Sequence, residues 1–304
     1  MLQTIDISKA GTYKIGGEIE INRMGFGAMR IVGKGVWGEP EDRNEAIATL
    51  KRAVELGVNF IDTADSYGPF ISEDLICEAL YPYPSSLLIG TKGGHTRHGP
   101  DIWRPIGSPD YLRQCVLMSM RRLKLNEIRF WQLHRVAEDT PAEVQFEAIA
   151  KMQQEGLICH VGLSAVGIKQ IEKAQQFFKV VSVQNKYNLI NRESEAVVQY
   201  CQDNNIAFIP YAPLDQGEFT QGDVLKEIMK SKHATARQVA LAWLLKRGDF
   251  MIPIPGTGKV MHLEENVAAA NIDLSDAEYK YLSQEGAEIW GKRKDSVKLY
   301  LKDE

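Results

Sequence analysis

The sequence predicts a single (β/α)8 barrel spanning residues 1–304, with an N-terminal β-hairpin in front and a C-terminal helical tail behind. Three observations predict it. Short apolar runs alternate with longer amphipathic segments, the pattern of a parallel α/β sheet. Eight such units fit the about 250 residues that a barrel of this kind occupies. Ionisable side chains close several of the runs, at the strand ends where barrels build their sites. A doubly wound sheet is the runner-up, because periodicity does not separate a closed sheet from an open one.

Each element has its own signal. Thr12–Ile15 and Ile19–Ile21 flank Gly16 and Gly17, which predicts a hairpin with a two-residue turn, placed to plug the barrel's N-terminal face. Strands are expected at Met24–Met29, Asn59–Thr63, Leu87–Thr91, Ile128–Leu133, His160–Ser164, Val180–Gln184, Ala207–Tyr211 and Met251–Pro255. Asp42 with Glu45, Thr140 with Glu143, Thr235 with Gln238 and Ser275 with Glu278 have the spacing of a capping box at a helix start. Pro109 and Pro141 stand where a first helical residue would, a position that needs no N–H donor. Ala236, Val239, Ala240, Trp243 and Leu244 form a core-facing helical stripe.

Composition excludes several classes. Charged residues make up 25% and the hydrophobic set 44%, ordinary values for a globular chain. Thirty-six Lys and Arg against 40 Asp and Glu leave a net charge of -4, which argues against nucleic acid or an anionic membrane as a partner. Cys77, Cys115, Cys159 and Cys201 form no Cys-x-x-Cys pair, so reduced thiols and a cytoplasmic location are expected. No run approaches the ~18 apolar residues of a membrane span, and MLQTIDISKAG lacks the apolar core of a signal peptide.

The strand ends carry the chemistry. The second strand ends at Asp62 with Tyr67 five residues on, the third at Lys92 and the fourth at His134. Each alone reads as a packed or solvated side chain. Together they place a carboxylate, a phenol, an ammonium and an imidazole on three successive strands, about 4.8 Å apart. A nearby ammonium favours phenolate, so Lys92 is expected to bring the Tyr67 phenol down toward the working pH, with Asp62 giving part of that back. His134 is expected to orient a substrate oxygen. Such a set suits protonation of a carbonyl oxygen while a hydride reaches its carbon.

At these residues the chain resembles the aldo/keto reductase superfamily, in its bacterial and fungal branch, some of whose members reduce pyridoxal. The matching stretches are MGFGAMR, GVNFIDTADSYG, LLIGTKGG, WQLHR, HVGLSAV, VSVQNKYN, IPYAPL, ALAWLL and IPIPGTGKVMHLEEN, in family order from about residue 20 to 275. The resemblance implies a (β/α)8 barrel that binds NADPH, with NADH possible, and reduces a small carbonyl compound. It implies Tyr67 as general acid, Lys92 and Asp62 as its tuning pair, and His134 as the orienting residue. It further implies that Ser164 and Gln184 hold the nicotinamide carboxamide, that Tyr211 stacks on the ring and that Leu214 follows at a cofactor contact. Gly256, Thr257, Lys259, His262, Glu265 and Asn266 match the segment that binds the adenosine end. Ala165 departs from the usual Asn after Ser164, and Gly256 and His262 stand where relatives carry a Lys and an Arg.

Other features are set aside or held as candidates. Gly25-Phe26-Gly27 meets Arg30 where a dinucleotide fingerprint needs glycine, and Gly256-Thr257-Gly258-Lys259 runs into Val260, so neither is a phosphate loop of those kinds. His95 and His98 lack further ligands at a fitting spacing, so no metal is expected. Trp37, Trp103 and Trp290 are the substrate-pocket candidates, on loops and a tail that would overhang the site. A nucleotide-sensing subunit resembling channel β subunits is the alternative function. A Schiff-base lyase is disfavoured, because Asp62 would keep Lys92 charged. The expected partner is a small carbonyl substrate, with the chain a monomer or weak homo-oligomer.

Overall fold

The structure is a computed structural model, which describes residues 5–214 and 222–300, with side chains through residue 294. Strands β1 (Thr12–Ile15) and β2 (Ile19–Asn22) form the antiparallel hairpin. Ile15 pairs with Ile19, so the turn holds Gly16, Gly17 and Glu18 rather than two residues. Gly16 and Gly17 take φ of +67° and +91°, where a side chain would be strained.

Seven parallel strands follow. They are β3 (Phe26–Gly27), β4 (Phe60–Asp62), β5 (Leu88–Gly93), β8 (Ile128–Leu133), β9 (Ile158–Ser164), β10 (Val180–Lys186) and β11 (Ala207–Tyr211), side by side in that order. A second hairpin, β6 (His95–Gly99) and β7 (Ile102–Pro105), interrupts the rhythm directly after β5. Helices α1 (Arg43–Glu55), α2 (Ile71–Leu80), α3 (Pro109–Arg122), α4 (Ala142–Gln154) and α5 (Ile168–Ala174) fall between the strands. Helices α6 (Glu195–Asp203), α7 (Asp223–Lys232), α8 (Ala236–Lys246), α9 (Val260–Val267) and α10 (Asp276–Tyr300) complete the ring and the tail.

No eighth strand forms among the described residues where Met251–Pro255 was expected, and the reason is local. Phe208 N donates to Phe250 O at 2.8 Å and Ile252 N to Phe208 O at 2.9 Å, so the segment pairs with β11. On its other side Gly25 N reaches Pro253 O at 3.0 Å and Gly27 N reaches Pro255 O at 3.4 Å. Pro253 and Pro255 have no N–H to return, so the seam with β3 is one-way and too sparse for a ladder. The same seam shortens β3 to two residues, after which the chain turns through a 3-10 helix at Ala28–Arg30. The curled sheet and its helices fit an (α/β)8 barrel closed by this seam.

Caps behave as local chemistry dictates. Asp42 accepts from Glu45 N at 2.9 Å, Thr235 and Gln238 form a reciprocal capping box, and Ser275 and Glu278 bond each other's backbone N–H. In α4 the cap shifts by one. Pro141 is the N-cap residue with extended backbone, and Thr140 lies outside.

Strand parity divides the interior. Phe60, Leu88 and Phe130 point inward and join Val181, Ile209, Ile252 and Ile254 in an apolar lower layer. Ile15, Ile19 and Ile21 of the hairpin belong to the same cluster, so the hairpin plugs the barrel from below. Two or four residues further along the same strands, Asp62, Gln132 and Lys92 point inward as an upper, polar layer. Trp131 and Val161, of opposite parity, face the helices, and so does Val183, because a register irregularity between Val180 and Ser182 puts it on the other face from Val181. No described helix is long and apolar enough to cross a membrane.

Ile21 is fully buried in the plug. Ile21→Ala is expected to lower the unfolding free energy by about 2–5 kcal/mol, read from denaturant titration. A loss under about 0.5 kcal/mol would show that the hairpin packs only loosely on the barrel.

Candidate active site

The upper layer is organised around one ammonium. Lys92 Nζ donates to Asp62 Oδ1 at 2.5 Å, to Thr63 O at 2.9 Å and to Tyr67 Oη at 3.3 Å. All three donor positions of the ammonium are thus filled. The second oxygen of Asp62 accepts from Gln132 Nε2 at 2.9 Å and Gln184 Nε2 at 2.8 Å. Gln184 Nε2 also donates to Gln132 Oε1 at 3.1 Å. Both amide hydrogens of Gln184 are therefore spent inside the barrel, and its carbonyl oxygen is the group left for a ligand. Gln132 was missed in the sequence, although it stands two residues before His134 and so shares its strand face.

Tyr67 reaches this layer because the loop after β4 folds back on itself. Asp65 N donates to Lys92 O at 3.1 Å, Tyr67 N to Ala64 O at 3.2 Å and Phe70 N to Asp65 O at 2.7 Å. His134 follows β8 directly, with its N–H on Gly93 O at 3.0 Å. Its Nδ1 lies 3.3 Å from Ser66 Oγ. The rings of Tyr67, His134 and Trp103 stand edge to face, with centroids 5.8 to 6.3 Å apart.

Burial changes the electrostatics expected from sequence. Tyr67 is raised above the ordinary phenol value, because burial outweighs the pull of Lys92, with Asp62 pushing the same way as burial. The phenol is therefore held protonated rather than brought down toward the working pH. Burial pushes Lys92 toward neutrality, but Asp62 and Tyr67 more than offset it and keep the ammonium charged. Burial drives His134 well below the ordinary imidazole range, helped by His95 and by the cations Lys92, Arg135 and Arg97, so the ring is neutral.

A cavity of about 810 Å³ opens above this layer. Asp62, Tyr67 and His134 line it, as do Ser164, Gln184, Tyr211, Leu214 and Gly256, with Trp103 among the remaining wall residues. Lys92 lies beneath, fully buried. The other sequence candidates stand outside the lining. Trp37 is exposed, with the Arg97 guanidinium 5.7 Å from its ring centre. Trp290 is on α10, whose preceding turns pack on α7 and α8: Ser283 Oγ accepts from Trp243 and Glu285 accepts from Val224 N and Leu225 N. Thr257 Oγ1 accepts from Lys259 N, while His262, Glu265 and Asn266 lie on α9. The first amide of α9, Val260 N, is already held by Glu45 Oε1 at 2.9 Å.

The structure also brings in residues the sequence did not flag. Arg97, on β6, donates to Val36 O and Ser66 O at 2.7 Å each and to Gly35 O at 2.9 Å, and stacks 3.5 Å over Trp103. It ties the first and second loops to the β6–β7 hairpin. Arg135 Nη1 donates to Ser164 Oγ at 3.1 Å beside Ala165, which takes a left-handed φ of +53°. Among the described residues no cluster of His, Cys, Asp and Glu is arranged to hold a metal.

A family model, the Aldo/keto reductase family, matches residues 23–285. The chain belongs to the aldo/keto reductase family. An uncharacterized oxidoreductase of Schizosaccharomyces pombe is 53% identical over 97% of this chain and 96% of its own length. The pyridoxine 4-dehydrogenase of Escherichia coli is 42% identical over 88% of this chain and 95% of its own. Among solved structures, the thermostable aldo-keto reductase Tm1743 in complex with the inhibitor epalrestat superposes with a TM-score of 0.77 at 29% identity, covering 90% of this chain and 98% of that one.

In this aldo/keto reductase the loop carrying Tyr67 also buries Asp65. Burial, and then the charge on Glu73, push its carboxyl from 3.8 up to about 7. A carboxyl raised on folding contributes its stability below the unfolded value and loses it as pH rises through the folded one. Asp65→Asn is therefore expected to raise the melting temperature at pH 8, by the equivalent of up to about 4 kcal/mol, and to change it little near pH 4. Equal gains at both pH values, read by thermal unfolding, would contradict this.

Proposed function

We propose that the protein reduces an aldehyde or ketone to an alcohol with NADPH, and that Tyr67 is the acid that protonates the carbonyl oxygen. The observation that carries this reading is the Tyr67 hydroxyl at the cavity floor, 3.3 Å from a fully buried ammonium that is itself tied to Asp62.

The residues fit the cofactor. Gly27 and Gly256 both line the cavity, and a Cβ on Gly256 would come within 2.6 Å of Gly27 O. The wall there is bare backbone, open to a flat or extended ligand. Gln184 offers its carbonyl oxygen to a carboxamide NH2, and Ser164 and Tyr211 stand beside it. Leu214 borders the same side, and Thr257, Lys259, His262, Glu265 and Asn266 are assigned to the adenosine end. Arg30 also lines the cavity, near Gly256, and adds a cation favourable to phosphate. NADPH, when bound, supplies the hydride that reaches the carbonyl carbon.

The chain's own groups do the rest. His134, neutral, accepts from Ser66 at Nδ1 and donates from Nε2 to the substrate oxygen, fixing its position. Tyr67 gives its proton to that oxygen as negative charge gathers there. The phenolate left behind forms 3.3 Å from Lys92, whose ammonium is already in place and needs no reorganisation. Tyr67 is then reprotonated through the cavity mouth. The substrate is a small carbonyl compound of the cytoplasm, and pyridoxal is the first to try, given the relative named for pyridoxine 4-dehydrogenation.

Tyr67→Phe is expected to cut the rate of NADPH oxidation by about 10²–10⁴-fold while NADPH still binds, as followed by fluorescence titration. Turnover at the wild-type rate would remove Tyr67 from the reaction.

A further inference from the structure

His95 has no place in the reaction above, yet its ring forms part of the cavity wall. It opens β6, directly after Gly93 and Gly94, and Tyr111 Oη fixes its backbone by donating to His95 O at 2.6 Å. The ring is wedged between Trp103 and His134, with centroids 5.7 and 4.5 Å away and both contacts edge to face. It is 6% exposed. Its Nδ1 is shielded from solvent and has no partner among the described residues. Burial, then Arg135 and Arg97, lower His95 to about 4, so it is neutral at physiological pH.

A neutral imidazole carries one proton, on one nitrogen or the other. A buried N–H without an acceptor is costlier than a buried lone pair without a donor. The proton therefore sits on Nε2, and Nδ1 is the bare nitrogen against the protein. Nε2–H is then the polar group that His95 offers to a molecule in the cavity. With the two imidazole centres 4.5 Å apart, an oxygen on His134 and an oxygen on His95 belong to carbons one or two apart in one small molecule. The charges of Arg97 and Arg135 favour an electron-rich oxygen there, and the edge-to-face rings of Tyr67, His134 and Trp103 provide flat walls.

We propose that His95 determines substrate specificity by donating a hydrogen bond to a second oxygen, carried one or two carbons from the reacting carbonyl. The substrate class is thus hydroxy-, alkoxy- or oxo-substituted aldehydes and ketones, of which a 2-methoxyaryl aldehyde is a simple aromatic case. This rests on the reductase reading and adds the substrate class to it.

The test compares kcat/KM for 2-methoxybenzaldehyde and 4-methoxybenzaldehyde, two isomers of similar electronics whose second oxygen accepts a hydrogen bond but forms none internally. The wild type is expected to prefer the ortho isomer by roughly tenfold, the scale of one well-placed hydrogen bond. His95→Phe keeps a ring between Trp103 and His134 and is expected to bring the ratio to about one. His95→Gln, which can still donate from a similar place, is expected to keep most of the preference. The ratio cancels losses common to both isomers, including those from partial unfolding. An ortho preference that survives in His95→Phe, or its absence in the wild type, overturns the proposal. NADPH oxidation with neither isomer nor any other aldehyde would instead fail the reductase reading, and this inference with it.

Discussion

The site depends on keeping a charged lysine inside the barrel. Lys92 is fully buried, and desolvating an ammonium costs several kcal/mol unless partners offset it. Asp62 offsets it at 2.5 Å, and Thr63 O and Tyr67 Oη take the other two donor positions. Gln132 and Gln184 then satisfy the second oxygen of Asp62. Remove Asp62 or Lys92 alone and a buried charge is left without its partner. The arrangement is therefore stiff before any ligand arrives, which is what electrostatic stabilisation of a developing charge requires. At 3.3 Å and an effective dielectric of ~20, the ammonium attracts a phenolate by about 5 kcal/mol.

The barrel supplies this stiffness through parity. A strand alternates its side chains, so Phe60 and Asp62, or Phe130 and Gln132, share a face one layer apart. The apolar layer below is filled and plugged by the hairpin isoleucines, which closes the interior from that end. Size alternates between neighbours as well. A Cβ on Gly162 would lie 2.2 Å from Ser182 Oγ, so only a glycine leaves room there. The loops above are tied together by Arg97, which bonds carbonyls from three separate segments. Ser66, whose carbonyl Arg97 holds, in turn meets His134. Through these contacts the pocket wall is continuous with the polar floor around Lys92.

The strand ends were legible in the sequence because parity and spacing are local properties. Asp62, Tyr67, Lys92 and His134 converge as their positions at successive strand ends imply. Features that depend on distant chain segments were not legible. Arg97 acts on backbone carbonyls of loops that no spacing rule connects to it. Trp290 sits on a tail helix whose path over α7 and α8 is set by tertiary packing. The missing eighth strand was readable in principle, since Pro253 and Pro255 advertise their lost donors. The direction of the Tyr67 shift was not, because sequence shows a neighbouring lysine but not the depth of burial that outweighs it.

The role of the buried pair can be measured by single-turnover hydride transfer in the double variant Asp62→Asn/Lys92→Met. Changing both partners leaves no isolated charge in the interior, which separates chemistry from folding. Stopped-flow loss of NADPH absorbance with a saturating aldehyde is expected to slow by at least about 100-fold, with NADPH still bound. Hydride transfer within about threefold of the wild type would show that the ammonium does not serve the proton donor, and would contradict the account.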